Sequence, residues 1–311
     1  MTTAAVIGIV VIVAYAVVAP ALSRGLAPSV ATRVLVPAGV FTAASGVFIL
    51  AVLAFTWIGQ FPLVAQEGAW SAAKLRSTSP VPAWPAVVCG VLVALTTISA
   101  AWTAVRRARA LIEVHRVCRD LTAVGGLVVL DDERPQAFTT PQPAARVVVT
   151  SGLLRALGDR ERQVLLAHEA SHLAHRHVWW NLAADLAAAV NPLLRPTARA
   201  LATTVERWAD EDAALAVGDR RLVAATLIRV AQLQTGVAAG FSPPGVVPSV
   251  AGGDVAVRVR ALLAPPPRRR PLMVAAVVTA LLISALPAAA VQHSGETLFE
   301  HAEQPAIGRH T

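Results

Sequence analysis

The sequence predicts a mainly α protein: a four-span helical membrane protein with a smaller α+β domain inserted between spans three and four. Three observations predict it. Four apolar runs, none with a charged residue, are each long enough to cross a hydrocarbon layer of about 30 Å. Apolar residues make up 55% of the 311 residues and charged residues only 15%, and mean hydropathy is +0.59, well to the apolar side of a soluble domain. Between the third and fourth runs, short β-branched segments punctuated by Gly and Pro give way to a long helical pattern.

The expected spans are Ala4–Leu22, Val34–Ile58, Ala86–Val105 and Leu272–Val291, with Pro20, Pro37 and Pro287 where a kink is tolerable. "MTT" supplies no basic region ahead of the first run, and a second run follows closely, so a retained anchor is expected rather than a cleaved leader. Arg and Lys set the orientation. Arg24, Arg33, Arg106, Arg107, Arg109, Arg268, Arg269 and Arg270 all fall on one side when four spans alternate. The other side has Lys74, Arg76 and Arg309, with Glu67, Glu296, Glu300 and Glu303, and Trp57 and Trp84 sit there as an interfacial belt. The expectation is a multi-pass plasma-membrane protein with both termini outside, in a GC-rich bacterium. Its parts are residues 1–105 (three spans), 106–270 (cytoplasmic), 271–291 (fourth span) and 292–311 (a short outer tail). The net charge of +8 is therefore read as a topology signal, with no direct nucleic-acid partner. Cys89 and Cys118 have no metal-binding spacing and read as packing residues.

In the inserted segment, "GGLVVLDD" and "AARVVVTSGLL" read as short strands on either side of the turn-rich "PQAFTTPQP". A helix is expected from about Gly158, with Asp159 as N-cap and Glu161 in the first turn. The run "RQVLLAHEASHLAHRH" has no Gly or Pro to stop it. On that helix His168 and His172 stand four apart and share a face, so both imidazoles reach one ion, and Glu169 sits beside the first. Two neutral imidazoles suit Zn²⁺, which lowers the pKa of a coordinated water toward about 7, and the glutamate takes its proton. A catalytic zinc site takes a third protein ligand and leaves one position open. In "TTVERWADEDAAL", Glu206 and Asp210 are again four apart. Glu206 is the candidate third ligand, and Asp210 the candidate acceptor from the far nitrogen of a liganding histidine. The plain alternative for both segments is a charged, solvated helix face; the two together favour one zinc per chain. His175 and His177 read as bystanders, on the surface or in support.

These residues resemble a known family. "RVVVTSGLLRALGDRERQVLLAHEASHL" is similar to the approach to HExxH in gluzincin membrane peptidases, and "AAVNPLLRP" followed by "ERWAD" resembles the BlaR/MecR-type peptidases, metallopeptidase family fifty-six. The resemblance implies a zincin-like α+β metalloprotease domain between spans three and four. It implies His168, His172 and Glu206 as zinc ligands, Glu169 as the catalytic glutamate and Asp210 as the supporting acid. It also implies a peptide or protein substrate, with a winged-helix repressor in a signalling pathway as the candidate. The chain departs from the β-lactam sensors in its short segment after Val291, without a penicillin-binding domain, and in Ala209 where they have cysteine. An extended substrate is expected to add to an edge strand near Ala137–Thr139 or Arg146–Thr150. The runner-up is a housekeeping membrane protease of the HtpX or CAAX-processing type, which shares both motifs. A third reading is a non-enzymatic membrane sensor with a vestigial zinc site.

Overall fold

The computed structural model describes residues 2–79, 81–118, 123–140, 146–235, 252–266 and 271–303. Its helices α1 (Thr2–Gly25) and α2 (Pro28–Ile58) form a hairpin, and the short α3 (Pro62–Glu67) and α4 (Ala72–Thr78) lead to α5 (Ala83–Cys118). Strands β1 (Leu127–Leu130), β2 (Ala137–Thr139) and β3 (Val147–Thr150) follow. The chain then runs through α6 (Ser151–Ala156), α7 (Asp159–Ala174) and α8 (His177–Val190), a 3-10 turn (Pro192–Leu194) and α9 (Arg195–Val217). Helices α10 (Arg220–Thr235), α11 (Gly252–Leu263) and α12 (Pro271–Ala302) complete it.

The molecule is mainly helical, and α1, α2 and α5 are each long and apolar enough to cross a membrane. Helix α12 covers the fourth apolar run without a break and packs on α1 and α2, where Ala5, Ile49 and Val291 share a core. Arg268–Arg270, Arg309 and His310, and residues 141–145 of the turn-rich stretch, lie outside the described residues. Helix α5 runs on past Val105 to the sheet, where its Val114 packs with Val128, Phe138 and Val148. One rigid element thus joins an apolar run to the site-bearing segment.

The sheet has the order β1-β3-β2, with β1 parallel and β2 antiparallel to β3. β3 is therefore central, and all four of its residues are buried. Val148 faces the α5 side, while Val147 and Val149 face Leu153, Leu157 and Leu165 of the α6–α7 segment. Burial on both faces explains the unbroken β-branched run. The expectation of an edge near Arg146–Thr150 is corrected: β2 is the edge beside the site. Thr150 then caps α6, its hydroxyl accepting the Leu153 N–H at 3.4 Å. Gly152 follows because a Cβ there would meet the Glu133 carbonyl oxygen at 2.2 Å.

Helices α8 and α9 form a second hairpin, and it lies against the spans. Ala187, Ala188 and Leu194 at its turn share a core with Ala16 of α1 and Ala43 of α2, well inside those apolar helices. Ala184 and Leu201 pack with Ala19, Leu35 and Val36. The Asn191–Pro192 step makes the turn, with the Asn191 side chain accepting the Leu193 N–H at 3.1 Å. The metal-binding segment and the membrane-type helices therefore share one continuous core.

Candidate metal centre

Helix α7 begins at Asp159 with Gly158 as its N-cap, one residue earlier than the sequence suggests. The Glu161 carboxylate reaches back to accept the Gly158 N–H at 2.8 Å, so the acid in the first turn caps the helix. Val164 and Leu165 anchor α7 on opposite sides, one against α9–α10 and the other against the sheet. That leaves the face with His168, Glu169 and His172 turned toward α9.

Helix α9 brings Glu206 to them. His168 Nε2 and His172 Nε2 are 3.1 Å apart, and they lie 3.6 and 3.7 Å from the Glu206 carboxylate oxygens. Four ligands at about 2.0–2.1 Å around a tetrahedral zinc have neighbouring donors roughly 3.4 Å apart. The triangle thus fits one zinc ion. Both remaining imidazole nitrogens face polar groups away from it: His168 Nδ1 lies at ion-pair distance, 3.1 Å, from Asp210 Oδ1, and His172 Nδ1 lies 2.9 Å from His177 Nδ1. Such placements favour a proton on Nδ1, so that a metal among the ligands would meet Nε2. Glu169 is 8% exposed and lines the same cavity, of about 780 Å³, as the three ligand residues.

Arg258 was not among the residues legible in the sequence. Helix α11 delivers it into the site, where it is 4% exposed. Its Nε and Nη2 donate to the two oxygens of Asp210 at 2.8 and 2.6 Å, and its Nη1 lies 3.0 Å from Glu206 Oε2. Helix α11 is itself held by Arg220, which donates to the Leu262 carbonyl at 2.9 Å and pairs with Glu211. An acidic pair on α9 calls for a buried cation, but nothing local in "DVAVRVRALL" separates Arg258 from Arg260.

These charges set the ionisation of the site. Burial raises the Asp210 and Glu206 pKa values, but Arg258 and His168 together, joined at Glu206 by His172, outweigh it and hold both carboxyls well below their usual range. Burial lowers His168, yet its contacts with Asp210 and Glu206 prevail and lift it to about 10. His172 has no carboxylate as near as Asp210 is to His168, and burial takes it down to about 4. Burial pushes the Glu169 carboxyl up to about 7, aided by Glu206 and opposed by His168 and Arg258. A divalent cation among the ligands would draw it back toward the carboxylate that a base requires.

His175 and His177 part company with the rest because α7 stops at Ala174. Arg176 takes a left-handed conformation, φ 53°, and α8 starts at His177. His175 pairs with Asp212 at 3.0 Å, stacks on Trp208 and stays partly exposed. His177 is 1% exposed and bonded to His172, so of the two readings, on the surface or in support, it takes the second and props a candidate metal ligand.

Residues 113–244 match the model of Peptidase family M48, and this segment contains His168, Glu169, His172, Glu206 and Asp210. A protease HtpX homolog of Paraburkholderia phytofirmans is 34% identical over 90 residues, covering 26% of this chain and 31% of that protein. Homologs from Burkholderia mallei and Burkholderia thailandensis are each 33% identical over 90 residues, with the same coverage. The chain thus spans about a third of the length of the curated relatives it matches. No solved structure matches. The matched family is not the BlaR/MecR type named from the sequence; it agrees with the HtpX-type runner-up. HExxH and ExxxD are common to both, so the spacing alone does not separate them. The segment that builds this metal centre is similar to Peptidase family M48, with proteases named as HtpX homologs among its relatives.

Proposed function

We propose that the chain is a membrane-anchored, zinc-dependent endopeptidase of the HtpX-like type. The observation that carries this reading is the triangle of His168, His172 and Glu206, with buried Glu169 beside it in one cavity. Zinc, when bound, supplies Lewis acidity and acidifies a water. Glu169 accepts the proton of the attacking water and later delivers it to the leaving amine. Asp210 and His177 hold the two imidazoles, and Arg258 keeps Glu206 ionised and in place. The substrate is a protein or peptide whose extended segment pairs with β2, since Ala137, Phe138 and Thr139 line the cavity.

In this reading α12 is a fourth span. Residues 106–270 form the catalytic part on the cytoplasmic side, with the turn of the α8–α9 hairpin reaching in against Ala16 and Ala43 of the spans, and both ends of the chain face outward in the plasma membrane. Arg24, Arg106, Arg107 and Arg109 on the catalytic side support it. A winged-helix repressor as the substrate is a second reading, favoured by the Asn191–Pro192 turn and the span layout shared with BlaR/MecR-type proteins. The test is Glu169→Ala in the purified full-length chain. It should keep its zinc and lose casein cleavage by at least about a hundredfold. Unaltered cleavage would remove Glu169 as the base. Proteins that accumulate in cells carrying this variant would then identify the substrate.

A further inference from the structure

Helix α8 carries two buried polar atoms with no partner among the described residues, on side chains that line the cavity. His177 Nε2 and Asn181 Oδ1 have no hydrogen-bond partner among the described residues, and both side chains line the cavity that holds the metal ligands. One turn further along the same face, Asp185 is taken up by its ion pair with Arg107. The open stripe therefore consists of His177 and Asn181.

Their hydrogen-bonding sense follows from the metal centre. When His172 Nε2 faces the ligand triangle with its lone pair, its proton resides on Nδ1, and Nδ1 donates to His177 Nδ1. His177 then carries its own proton on Nε2 and is a donor there. Asn181 Oδ1 is an acceptor. The Cβ atoms of residues four apart on a helix stand roughly 5–6 Å from each other, so one donor-bearing and one acceptor-bearing side chain lie next to each other on this face of α8. In an extended chain, the N–H and C=O of one residue point to the same side. A substrate strand paired with β2 satisfies every second residue in this way, and the residues between turn their N–H and C=O away from β2. Inside a cavity these groups need partners too.

We propose that His177 and Asn181 form a backbone-amide subsite, in which His177 Nε2–H donates to the carbonyl and Asn181 Oδ1 accepts the N–H of one substrate residue facing away from β2. The subsite rests on the reading of the site as a zinc peptidase. It selects an extended backbone without selecting a side chain, which suits an enzyme that accepts varied sequences. Arg107 and Asp185 close the stripe at the end nearer the spans.

The test uses the full-length chain in detergent with zinc, comparing wild type with Asn181→Leu, or with Asn181→Ala should leucine not fit. The probes are acetohydroxamic acid and a hydroxamate-capped Leu-Ala-Gly amide, together with versions of that peptide N-methylated at each amide in turn. The variant should keep its zinc and its affinity for acetohydroxamic acid, and bind the peptide about five- to tenfold more weakly. N-methylation at one position should weaken wild-type binding by a similar factor and leave the variant unaffected. Peptide affinity unchanged in the variant overturns the subsite and leaves water as the partner of Asn181. A loss that appears only when the peptide leucine is replaced by glutamine means a side-chain carboxamide is read, and overturns the backbone assignment. A wild type that holds no zinc, or does not bind acetohydroxamic acid, brings down the metal-centre reading and the subsite with it.

Discussion

Glu206 and Asp210 lie four residues apart on one face of α9, with side chains only 18% and 2% exposed. Two carboxylates so placed repel each other and are poorly hydrated, and Arg258 answers both. The Asp210–Arg258 contact is bidentate, the arrangement that lysine does not reproduce. Arg258→Ala leaves two buried carboxylates without their cation. The metal-free protein should lose about 3–5 kcal/mol of stability, as when one partner of a buried pair is removed. Zinc restores positive charge at Glu206, so the zinc-loaded variant should lose less. Thermal unfolding with and without zinc measures the difference; equal losses in the two states would contradict this role. At this scale much of the site was legible in the sequence, because His168 and His172, like Glu206 and Asp210, repeat at the helical period. Arg258 was not, since its partners lie far away in the chain and its own surroundings read as an ordinary amphipathic helix.

The break between α7 and α8 is an element made without glycine or proline. Arg176 sits at φ 53°, a conformation that costs an L-residue with a Cβ roughly 1–2 kcal/mol. Side-chain contacts hold it there, one of them from distant α9: Trp180 donates its indole N–H to the His175 carbonyl at 3.2 Å, and His177 is buried against His172 and, from α9, Trp208. Arg176→Gly should be neutral or raise the melting temperature, while Arg176→Val should lower it by several degrees and weaken zinc binding by displacing His177. A valine variant as stable as wild type would show that the turn is unstrained. The sequence did not reveal this break because its signal is not local. The position of β3 is the same kind of case: pairing partners separated by a loop decide which strand is central, and "VVVT" reads alike in the middle or at an edge.

Over the whole molecule, the spans and the metal centre are parts of one packed body. Helix α5 carries the third apolar run straight into the sheet, and the α8–α9 hairpin packs its turn against Ala16 and Ala43. The sequence made the apolar runs plain because length and hydropathy are local properties. It did not show that the α8–α9 hairpin would share their core, since its alanine-rich face is equally suited to a soluble domain. The orientation proposed from arginine placement has its own check: a reporter fused after Val291 should read as extracytoplasmic, and a cytoplasmic signal would overturn the four-span arrangement. The measurement that goes most directly to the central claim is the zinc content of the purified full-length chain beside His172→Ala and Glu206→Ala. One zinc per wild-type chain, lost from both variants while their helical content is preserved, is the predicted result. A wild type without zinc, or variants that bind it as well as wild type, would contradict a metal centre built on His168, His172 and Glu206.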